Sequence, residues 1–260
     1  MLRKRERFER SDVPRDTPYR NVIGGVVCVL VLAAVVAVVL FVWNRVKLES
    51  SLGDKDISDA LSAQAAQATP EAAGYVASGD EFESVVLFTA DGLDAVGPSL
   101  ASARILTINR TQGTAALVTV PAGAKADSET SATLAEAYAS RGYAACVGLL
   151  SSATGVTFDH VVVATEDVLD EAAAIAGSGI ADVVSQASEL LSKIRTDMDA
   201  AELLSLAEAL SAAGSNLASS EAILVPEAVT DEAGNPVETG AQLIERSQLC
   251  VALGLLVPAA

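Results

Sequence analysis

The longest apolar stretch of the chain lies close to its N-terminus. Residues 22–43 contain no charged side chain and are rich in valine and leucine. At about 1.5 Å per residue, a helix of this length covers the roughly 30 Å hydrocarbon core of a bilayer and pairs its own backbone amides. Trp43 and Tyr19, near its two ends, are residue types enriched at membrane interfaces. The pattern therefore predicts a transmembrane helix over 22–43.

The charges on the two sides of this helix predict its orientation. Residues 1–21 hold seven Lys and Arg against four Asp and Glu, whereas the rest of the chain holds 10 against 30. The positive-inside rule then places the basic tail 1–21 in the cytoplasm and the remainder outside a cell membrane crossed once. A cleaved signal peptide is the alternative, but its apolar region is normally about 7–15 residues long, and no A-x-A site follows closely here.

The chain beyond the helix divides into two parts. Residues 44–82 are rich in small, polar and acidic residues with scattered Gly and Pro, which predicts a stalk carrying a short helix near 56–68. From residue 83 onwards, apolar runs of strand and helix length alternate. We expect one extracytoplasmic domain over 83–260.

The first half of this domain has a clear β pattern. The run at 84–89 predicts a buried strand, followed by a turn at Asp91. Two further apolar runs, 103–109 and 115–120, are joined by four residues that end in glycine, which is typical of a hairpin. Pro121 ends the second of these strands because proline has no N–H for the ladder.

The rest of the domain mixes helices and strands. The pattern predicts, in order, a helix over 131–151, a strand over 156–164, a helix capped by Thr165 that runs to about 176, helices near 180–195 and 199–213, a strand over 221–225, an acidic loop over 231–240 and a helix over 241–256. The second-last helix opens with the capping pair Asp199 and Glu202. The fold class is therefore α/β or α+β.

Composition excludes several classes of protein. With 51% hydrophobic residues, the bulk of the chain is not intrinsically disordered. A formal net charge of −17 argues against a nucleic-acid partner, since phosphate binding requires a basic surface. Three Cys and one His are too few for a zinc ribbon or a disulfide scaffold. Cys146 and Cys250 are the one pair that could form a disulfide outside the membrane, with two buried thiols as the alternative.

Common catalytic motifs are missing from the sequence, which leaves single residues as the candidates for a site. The sequence has no G-x-S-x-G elbow, P-loop or dinucleotide fingerprint. His160, the only histidine, is expected to be a structural residue at the start of a strand. Asp91 follows a buried strand directly, where it could serve catalysis or hold a metal ion, or could simply form the turn.

The order of these elements resembles a known family, the LytR-CpsA-Psr (LCP) cell-envelope proteins. The resembling segments are SVVLFTADG at 84–92, ARILTINRTQGTAALVTVPAGA at 103–124, LAEAYASRG at 134–142, GVTFDHVVVATEDVLDEAAAIAG at 155–177 and TDMDAAELLSLAEAL at 196–210. They lie within residues 84–210, about half of the chain, and are collinear with the family pattern. The resemblance implies a central mixed sheet flanked by helices.

The resemblance also implies a chemistry. Family members transfer an anionic glycopolymer from a polyprenyl-pyrophosphate carrier to peptidoglycan, usually with Mg²⁺. Arginines suit this work because their bidentate hydrogen bonds neutralise phosphate charge, and aspartates suit Mg²⁺ because it prefers oxygen ligands. The resemblance implies an apolar tunnel for the lipid chain. It implies a catalytic or metal-binding role for Asp91.

This chain departs from the family at the charged positions. Family arginine, aspartate, asparagine and histidine positions fall here on Ser99 and Ala101, on Ala122 and Gly123, and on Ala135 and Glu136. We therefore expect a catalytically impaired LCP-like protein without a resident cofactor, acting in cell-wall biogenesis by binding a polyprenyl-linked precursor or an active LCP relative.

Two alternatives stay open. An active transferase would need Asp91 together with relocated arginines drawn from Arg104, Arg141 and Arg246, and would then use Mg²⁺. Arg110, in the hairpin turn, is expected at the surface. An acidic structural ectodomain unrelated to the family would lack a central sheet containing the 103–120 hairpin.

Overall fold

A computed structural model describes residues 52–64, 72–126, 132–168, 193–230 and 234–259. The predicted transmembrane segment and tail, the helix expected beyond residue 168 and most of the helix expected near 180–195 lie outside these ranges. Among the described helices, none is both long and apolar enough to cross a membrane.

The described elements alternate between strands and helices. In chain order they are α1 (Lys55–Ser62), β1 (Tyr75–Ala77), β2 (Phe82–Ala90), β3 (Leu100–Asn109), β4 (Thr114–Pro121), α2 (Leu134–Thr154), β5 (His160–Thr165), β6 (Ile194–Thr196), α3 (Ala200–Ala213), a 3₁₀ turn (Gly214–Asn216), β7 (Leu217–Glu221), β8 (Leu224–Thr230), β9 (Pro236–Ile244), α4 (Arg246–Ala252) and β10 (Leu256–Pro258).

The predicted central mixed sheet is confirmed. Six strands lie in the order β6-β5-β2-β3-β4-β7, and the predicted hairpin, β3–β4, forms two neighbouring inner strands of the sheet. Strands β2 and β5 run parallel, as do β4 and β7, while the other neighbouring pairs are antiparallel. Two small sheets, β1–β10 and β8–β9, complete the described strands.

Both faces of the central sheet are covered, which explains its long apolar runs. On one face, alternate residues of β2 and β3 such as Val86, Phe88 and Ile105 pack with buried residues of α1, α2 and α4. On the other, Val85 packs with buried residues of α3, including Leu206. The helix predicted over 199–213 is confirmed, with its capping box at Asp199 and Glu202.

Helix α2 has a defined start, a break and a defined end. Thr133 accepts from the backbone of Glu136, and the Glu136 side chain accepts from the backbone of Thr133, which is a capping box. Gly155 ends the helix in the left-handed conformation, at φ 72° and ψ 13°. Gly142 interrupts it at φ 78° and ψ −176°, a conformation that only glycine adopts readily.

Part of the expected stalk packs against the domain instead. Residues 52–64, which we call the strap, carry α1, and the Ile57 side chain is fully buried in the main core. Leu52 forms a parallel bridge with Thr196 of β6. The sequence pattern missed this because a short helix with one deeply buried residue looks polar overall, and its packing partner lies far along the chain.

The C-terminal predictions need correction. Residues 193–195, expected to end a helix, enter β6, and the single strand expected over 221–225 is two strands, β7 and β8. The acidic loop over 231–240 is in part strand β9, and the helix over 241–256 is only α4, seven residues long. Pro226 lies within β8, next to a shift in the strand register, and this proline obscured the β pattern there.

Candidate functional site

Several strand ends meet at one edge of the central sheet. Strands β2, β4 and β5 end there, and β3 and β6 begin there, because β2 and β5 are parallel and their neighbours β3 and β6 run antiparallel to them. Asp91 immediately follows β2 at this edge. We call it the Asp91 edge, and the opposite one, where β5 begins at His160, the His160 edge.

Asp91 itself closes the loop 91–99. Its Oδ1 accepts a hydrogen bond from the backbone N–H of Ser99 at 2.7 Å, and its own N–H donates to the Ser99 carbonyl at 3.1 Å. The residue is exposed. This geometry is that of the turn-forming alternative, and a catalytic or metal-binding role for Asp91 stays a prediction.

Magnesium would find few protein ligands at Asp91. One of its carboxylate oxygens is already hydrogen bonded to Ser99. The described residues contain no group of three or more His, Cys, Asp or Glu side chains placed to hold a metal ion.

The loop 91–99 is seated on the break in α2. Gly97 N–H donates to the carbonyl of Ala139 at 3.1 Å. A Cβ atom at Gly142 would lie 1.8 Å from the carbonyl oxygen of Ala95, so only glycine allows this approach. The break at Gly142 thus fixes the loop that follows β2 relative to the helix.

Arg195 of β6 brings a guanidinium group under this loop. Its Nη1 donates to the carbonyl of Leu93 at 2.9 Å, and its Nε donates to Asp54 Oδ2 at 2.8 Å. Its Nη2 contacts the same oxygen, so two guanidinium nitrogens share Asp54 Oδ2. The guanidinium carbon lies 5.5 Å from the ring centre of Tyr143, within the range of a cation–π contact.

Two tyrosines lie behind Arg195 with unused hydroxyl groups. Tyr138 and Tyr143 are buried, and within the described part of the chain neither hydroxyl has a hydrogen-bond partner. Burial raises the pKa of both hydroxyls, and the charge of Arg195 acts against this at each. The Tyr138 ring also contacts Phe88 at a centroid distance of 5.7 Å. Buried polar groups are normally satisfied, so these two hydroxyls have a hydrogen-bonding capacity that the described chain does not use.

The positions that carry charge in the resembling family are filled here by small or structural residues. Ser99 and Ala101 are exposed at the Asp91 edge, and Ala122 and Gly123 form the turn after β4. Glu136 is charged, but its carboxylate accepts from Thr133 N–H at 2.8 Å, and this bond lowers its pKa. The side chain at this position therefore caps a helix.

The arginines proposed for an active site do not form one cluster. Arg104 lies within β3, opposite Thr119, and Arg141 is exposed on α2. The guanidinium of Arg246 packs on Gly155 at the far end of α2, where a Cβ would lie 2.4 Å from its Nη2. Arg110, as expected, is in the hairpin turn, where it forms an ion pair with Glu83 at the His160 edge.

His160 has a structural partner, as expected. Its Nδ1 lies 2.7 Å from Asp197 Oδ2, and Asp197 Oδ1 accepts from the Val161 N–H at 2.7 Å. The hydrogen bond to Asp197 raises the pKa of His160. The carboxylate thus ties the start of β5 to the end of β6.

The two cysteines of the domain are free and buried, which confirms two buried thiols and not the disulfide as the correct alternative for this pair. Cys146 Sγ donates to the Leu134 carbonyl at 3.5 Å, and Cys250 Sγ donates to the Thr154 carbonyl at 3.2 Å. Burial raises their pKa values to about 12 and about 11. Neither is suited to act as a thiolate nucleophile.

Sequence analysis missed Asp54, Tyr143 and Arg195. The predicted helix near 180–195 hid Arg195, which lies in strand β6. Asp54 was assigned to the stalk. An available signal was the Asp54 capping position, which precedes Lys55 and is followed by an apolar residue three positions on, at Ile57.

Comparisons with known proteins give structural similarity only. No protein-family model and no curated protein matches the chain. Among solved structures, the chain is similar to Lin1025 from Listeria innocua, with 13% identity, 66% of this chain and 96% of that chain covered, and a TM-score of 0.47.

Two Bacillus subtilis structures are also similar. TagV has 10% identity, with 68% of this chain and 99% of that chain covered and a TM-score of 0.45. TagT has 16% identity, with 74% and 98% covered and a TM-score of 0.42. These are LytR-CpsA-Psr proteins, the group that the sequence motifs resemble. With TM-scores below 0.5, no membership of the family is assigned from them.

Proposed function

We propose that this chain is a membrane-anchored, extracytoplasmic LCP-like protein of cell-wall glycopolymer assembly that is catalytically impaired. It would act by binding a polyprenyl-linked precursor, or by associating with an active relative. Its tail would lie in the cytoplasm and its domain outside, as the charges around residues 22–43 predict.

The order of elements supports the first part of the proposal. The resembling motifs fall on β2 and its Asp91 turn, on the β3–β4 hairpin, on the start of α2 at Leu134 and on β5. These elements are adjacent in one mixed sheet with α2 packed on one face. Motifs that are weak individually thus form one spatial unit.

The observation that carries the impairment is the loss of charge at the Asp91 edge. The family positions there are serine, alanine and glycine, and Glu136 is held in a capping box. Transfer from a pyrophosphate requires several positive groups to neutralise the charge that shifts to the leaving phosphate. Because such groups act together, losing several of them lowers the rate by orders of magnitude.

The overall charge supports the same conclusion. Beyond the predicted helix the chain has 10 Lys and Arg against 30 Asp and Glu, so its overall potential disfavours a pyrophosphate wherever no local cation compensates. An apolar contact with the lipid, or a contact with another protein, is not opposed in this way.

Lipid titration tests the binding proposal. The full-length protein in detergent is titrated with polyprenyl phosphate, and with the matching polyprenol as a control that lacks the phosphate. We expect saturable binding of polyprenyl phosphate and weaker binding of the alcohol. No binding of either lipid would reject the lipid half of the proposal and leave association with an active relative, tested by co-purification.

An active transferase is the second candidate, and Arg195 favours it because this guanidinium lies under the loop that follows Asp91. In that reaction the glycopolymer phosphate forms a new P–O bond to an acceptor hydroxyl, and the bond to the lipid phosphate breaks, releasing polyprenyl phosphate. Release of labelled polyprenyl phosphate by the wild type, lost in Asp91→Ala, would establish activity. Equal background release by both would reject it.

The third hypothesis, an unrelated acidic ectodomain, expected a fold without a central sheet around the 103–120 hairpin. The hairpin β3–β4 forms two inner strands of a six-stranded central sheet. We therefore do not favour this hypothesis.

A further inference from the structure

The strap, residues 52–64, lies along the edge of the domain next to Arg195. Gly53 N–H donates to the Met198 carbonyl at 3.1 Å, and Asp54 N–H donates to the Thr196 carbonyl at 2.9 Å, so the strap begins as a partner of β6. At its other end, the Gln64 side chain exchanges two hydrogen bonds of 2.9 Å with the backbone of Phe158. Between these points α1 buries a single residue completely, Ile57.

Asp54 has two separate roles in this arrangement. Its Oδ1 accepts from the N–H groups of Asp56 at 2.9 Å and Ile57 at 3.3 Å, which caps α1. Its Oδ2 binds the guanidinium of Arg195. The capping role needs only an oxygen acceptor, whereas the role at Arg195 uses the negative charge.

The surroundings of Arg195 are those of an anion site whose anion comes from the chain itself. The Asp54 side chain is 7% exposed and that of Arg195 is 24% exposed, so the pair is only partly open to solvent. The Tyr143 ring lies 5.5 Å from the guanidinium carbon, and the buried hydroxyls of Tyr138 and Tyr143 have no hydrogen-bond partners among the described residues. An arginine fork binds carboxylate and phosphate with the same geometry.

We infer that the strap is an intramolecular competitor: the Asp54 carboxylate occupies the Arg195 guanidinium and must be displaced before a phosphorylated ligand can bind there. This inference rests on the proposed function for the identity of the natural ligand, but the competition concerns any phosphate or pyrophosphate. The strap begins nine residues after the predicted transmembrane helix, so its displacement would couple the Asp91 edge to the membrane-proximal chain.

The strap is held to the domain through Ile57, through Gln64 and through its pairing with β6, so the competition requires these contacts to open together in a minority of molecules. Its backbone pairs with the short strand β6 through a single bridge and two hydrogen bonds. If it is displaced in about a tenth of the molecules, the apparent Kd of a competing anion is about tenfold weaker than its intrinsic Kd. Removing the Asp54 charge should therefore tighten the apparent Kd of the anion about tenfold.

The test compares matched charge-removing variants of the full-length protein. Asp54→Asn keeps an oxygen that can cap α1 and removes the charge that binds Arg195. Asp59→Asn removes the same charge from an exposed position of the same helix. Binding of inorganic pyrophosphate is measured by calorimetry, and hydrogen exchange of residues 53–63 is followed with and without the ligand.

We expect Asp54→Asn to bind pyrophosphate about tenfold more tightly than the wild type, and Asp59→Asn to bind like the wild type. Adding Arg195→Gln to Asp54→Asn should abolish the gain. In the wild type, pyrophosphate should raise the exchange of the strap amides, because the ligand displaces the strap. Equal affinities of the two single variants, or no binding by any protein, would overturn the inference.

The same experiment separates this inference from the proposed function. If exchange of the strap rises in Asp54→Asn but pyrophosphate affinity does not change, Asp54 is a structural cap and the inference fails, whatever the lipid titration shows. If Asp54→Asn gains affinity for pyrophosphate but no protein binds polyprenyl phosphate, the strap competes as inferred and the lipid half of the proposed function is wrong.

Discussion

The two edges of the central sheet treat their polar groups differently. At the His160 edge, Asp197 accepts from both the His160 ring and the Val161 backbone, and Asp159 accepts from Ser84 N–H at 2.7 Å. Each carboxylate there ties one strand to its neighbour. The carboxylates at this edge are engaged in hydrogen bonds that hold the strands in register.

At the Asp91 edge, fewer of the polar groups find their hydrogen-bond or charge partners within the domain itself. Arg195 binds Leu93 within the domain, but its charge is balanced by Asp54 of the strap. Tyr138 and Tyr143 have buried hydroxyls without hydrogen-bond partners among the described residues. The polar groups of the His160 edge therefore stabilise the fold, while the Asp91 edge keeps a hydrogen-bonding capacity that a ligand could use.

The largest effect is expected from Gly142→Ala, which tests how rigidly the Asp91 edge is built. The new Cβ would lie 1.8 Å from the Ala95 carbonyl oxygen, and the backbone is at φ 78°. We expect a loss of about 3 kcal/mol or more in the free energy of unfolding, since a strained backbone and a clash add together. Urea unfolding measures it.

Gly148→Ala is the matched control for Gly142→Ala. Gly148 is an exposed position of the same helix, and a Cβ there has no heavy atom within 4 Å. This change should stabilise α2 by about 0.5–1 kcal/mol, because alanine is the better helix former. Similar losses in both variants would mean that the Gly142 break does not fix the loop.

A smaller effect is expected at Asp91. Asp91→Ala removes the acceptor of the Ser99 N–H bond and should cost about 1 kcal/mol of unfolding free energy, whereas Asp91→Asn keeps an acceptor and should cost less than half of that. Thermal and urea unfolding of both variants measure the difference. Equal losses would show that the charge, and not the turn, is what Asp91 contributes.

The smallest effect, at the His160 edge, depends on pH. Because Asp197 raises the pKa of His160 in the folded state, the pair stabilises the fold most below the unfolded pKa of about 6.5, and this contribution is lost as pH rises through the folded pKa. We expect the wild type to exceed His160→Gln in stability by about 0.5–1 kcal/mol more at pH 5 than at pH 9, allowing for solvent screening.

NMR provides an independent check of that pH dependence. His160 is the only histidine, so its ring signal can be titrated without assignment. A folded pKa at or below the ordinary value would contradict the stabilising pair. Asp197→Asn, which removes the charge and keeps an acceptor for Val161 N–H, should bring the pKa down.

The central strands and the main helices were predictable from sequence. Strands β2, β3 and β4 are long, apolar and bounded by turn residues, and α3 begins with a capping box, so local pattern and tertiary structure agree. Strand β6 was not predictable because three residues have no periodicity of their own. It exists through pairing with β5 and through Thr196, whose hydroxyl donates to the Val161 carbonyl at 2.7 Å.

Only part of the candidate site could be predicted from the sequence. Asp91 could be singled out because it follows a buried strand directly. Arg195 and Asp54 could not be joined, since they are separated by 141 positions and each sits in a segment whose local pattern suggested something else. Side-chain pairing across such a distance depends on the packing of α1 on the sheet and not on any short motif.

The order of the core elements, the acidic character of the chain and the replacement of charged family positions by small residues could all be predicted from the sequence. These follow from local periodicity and from residue identity, which need no knowledge of distant contacts. Only the tertiary structure decided that Glu136 caps a helix, that the cysteines stay apart and that Asp54 reaches Arg195. Those outcomes depend on which surfaces pack together, and packing is set by the whole chain.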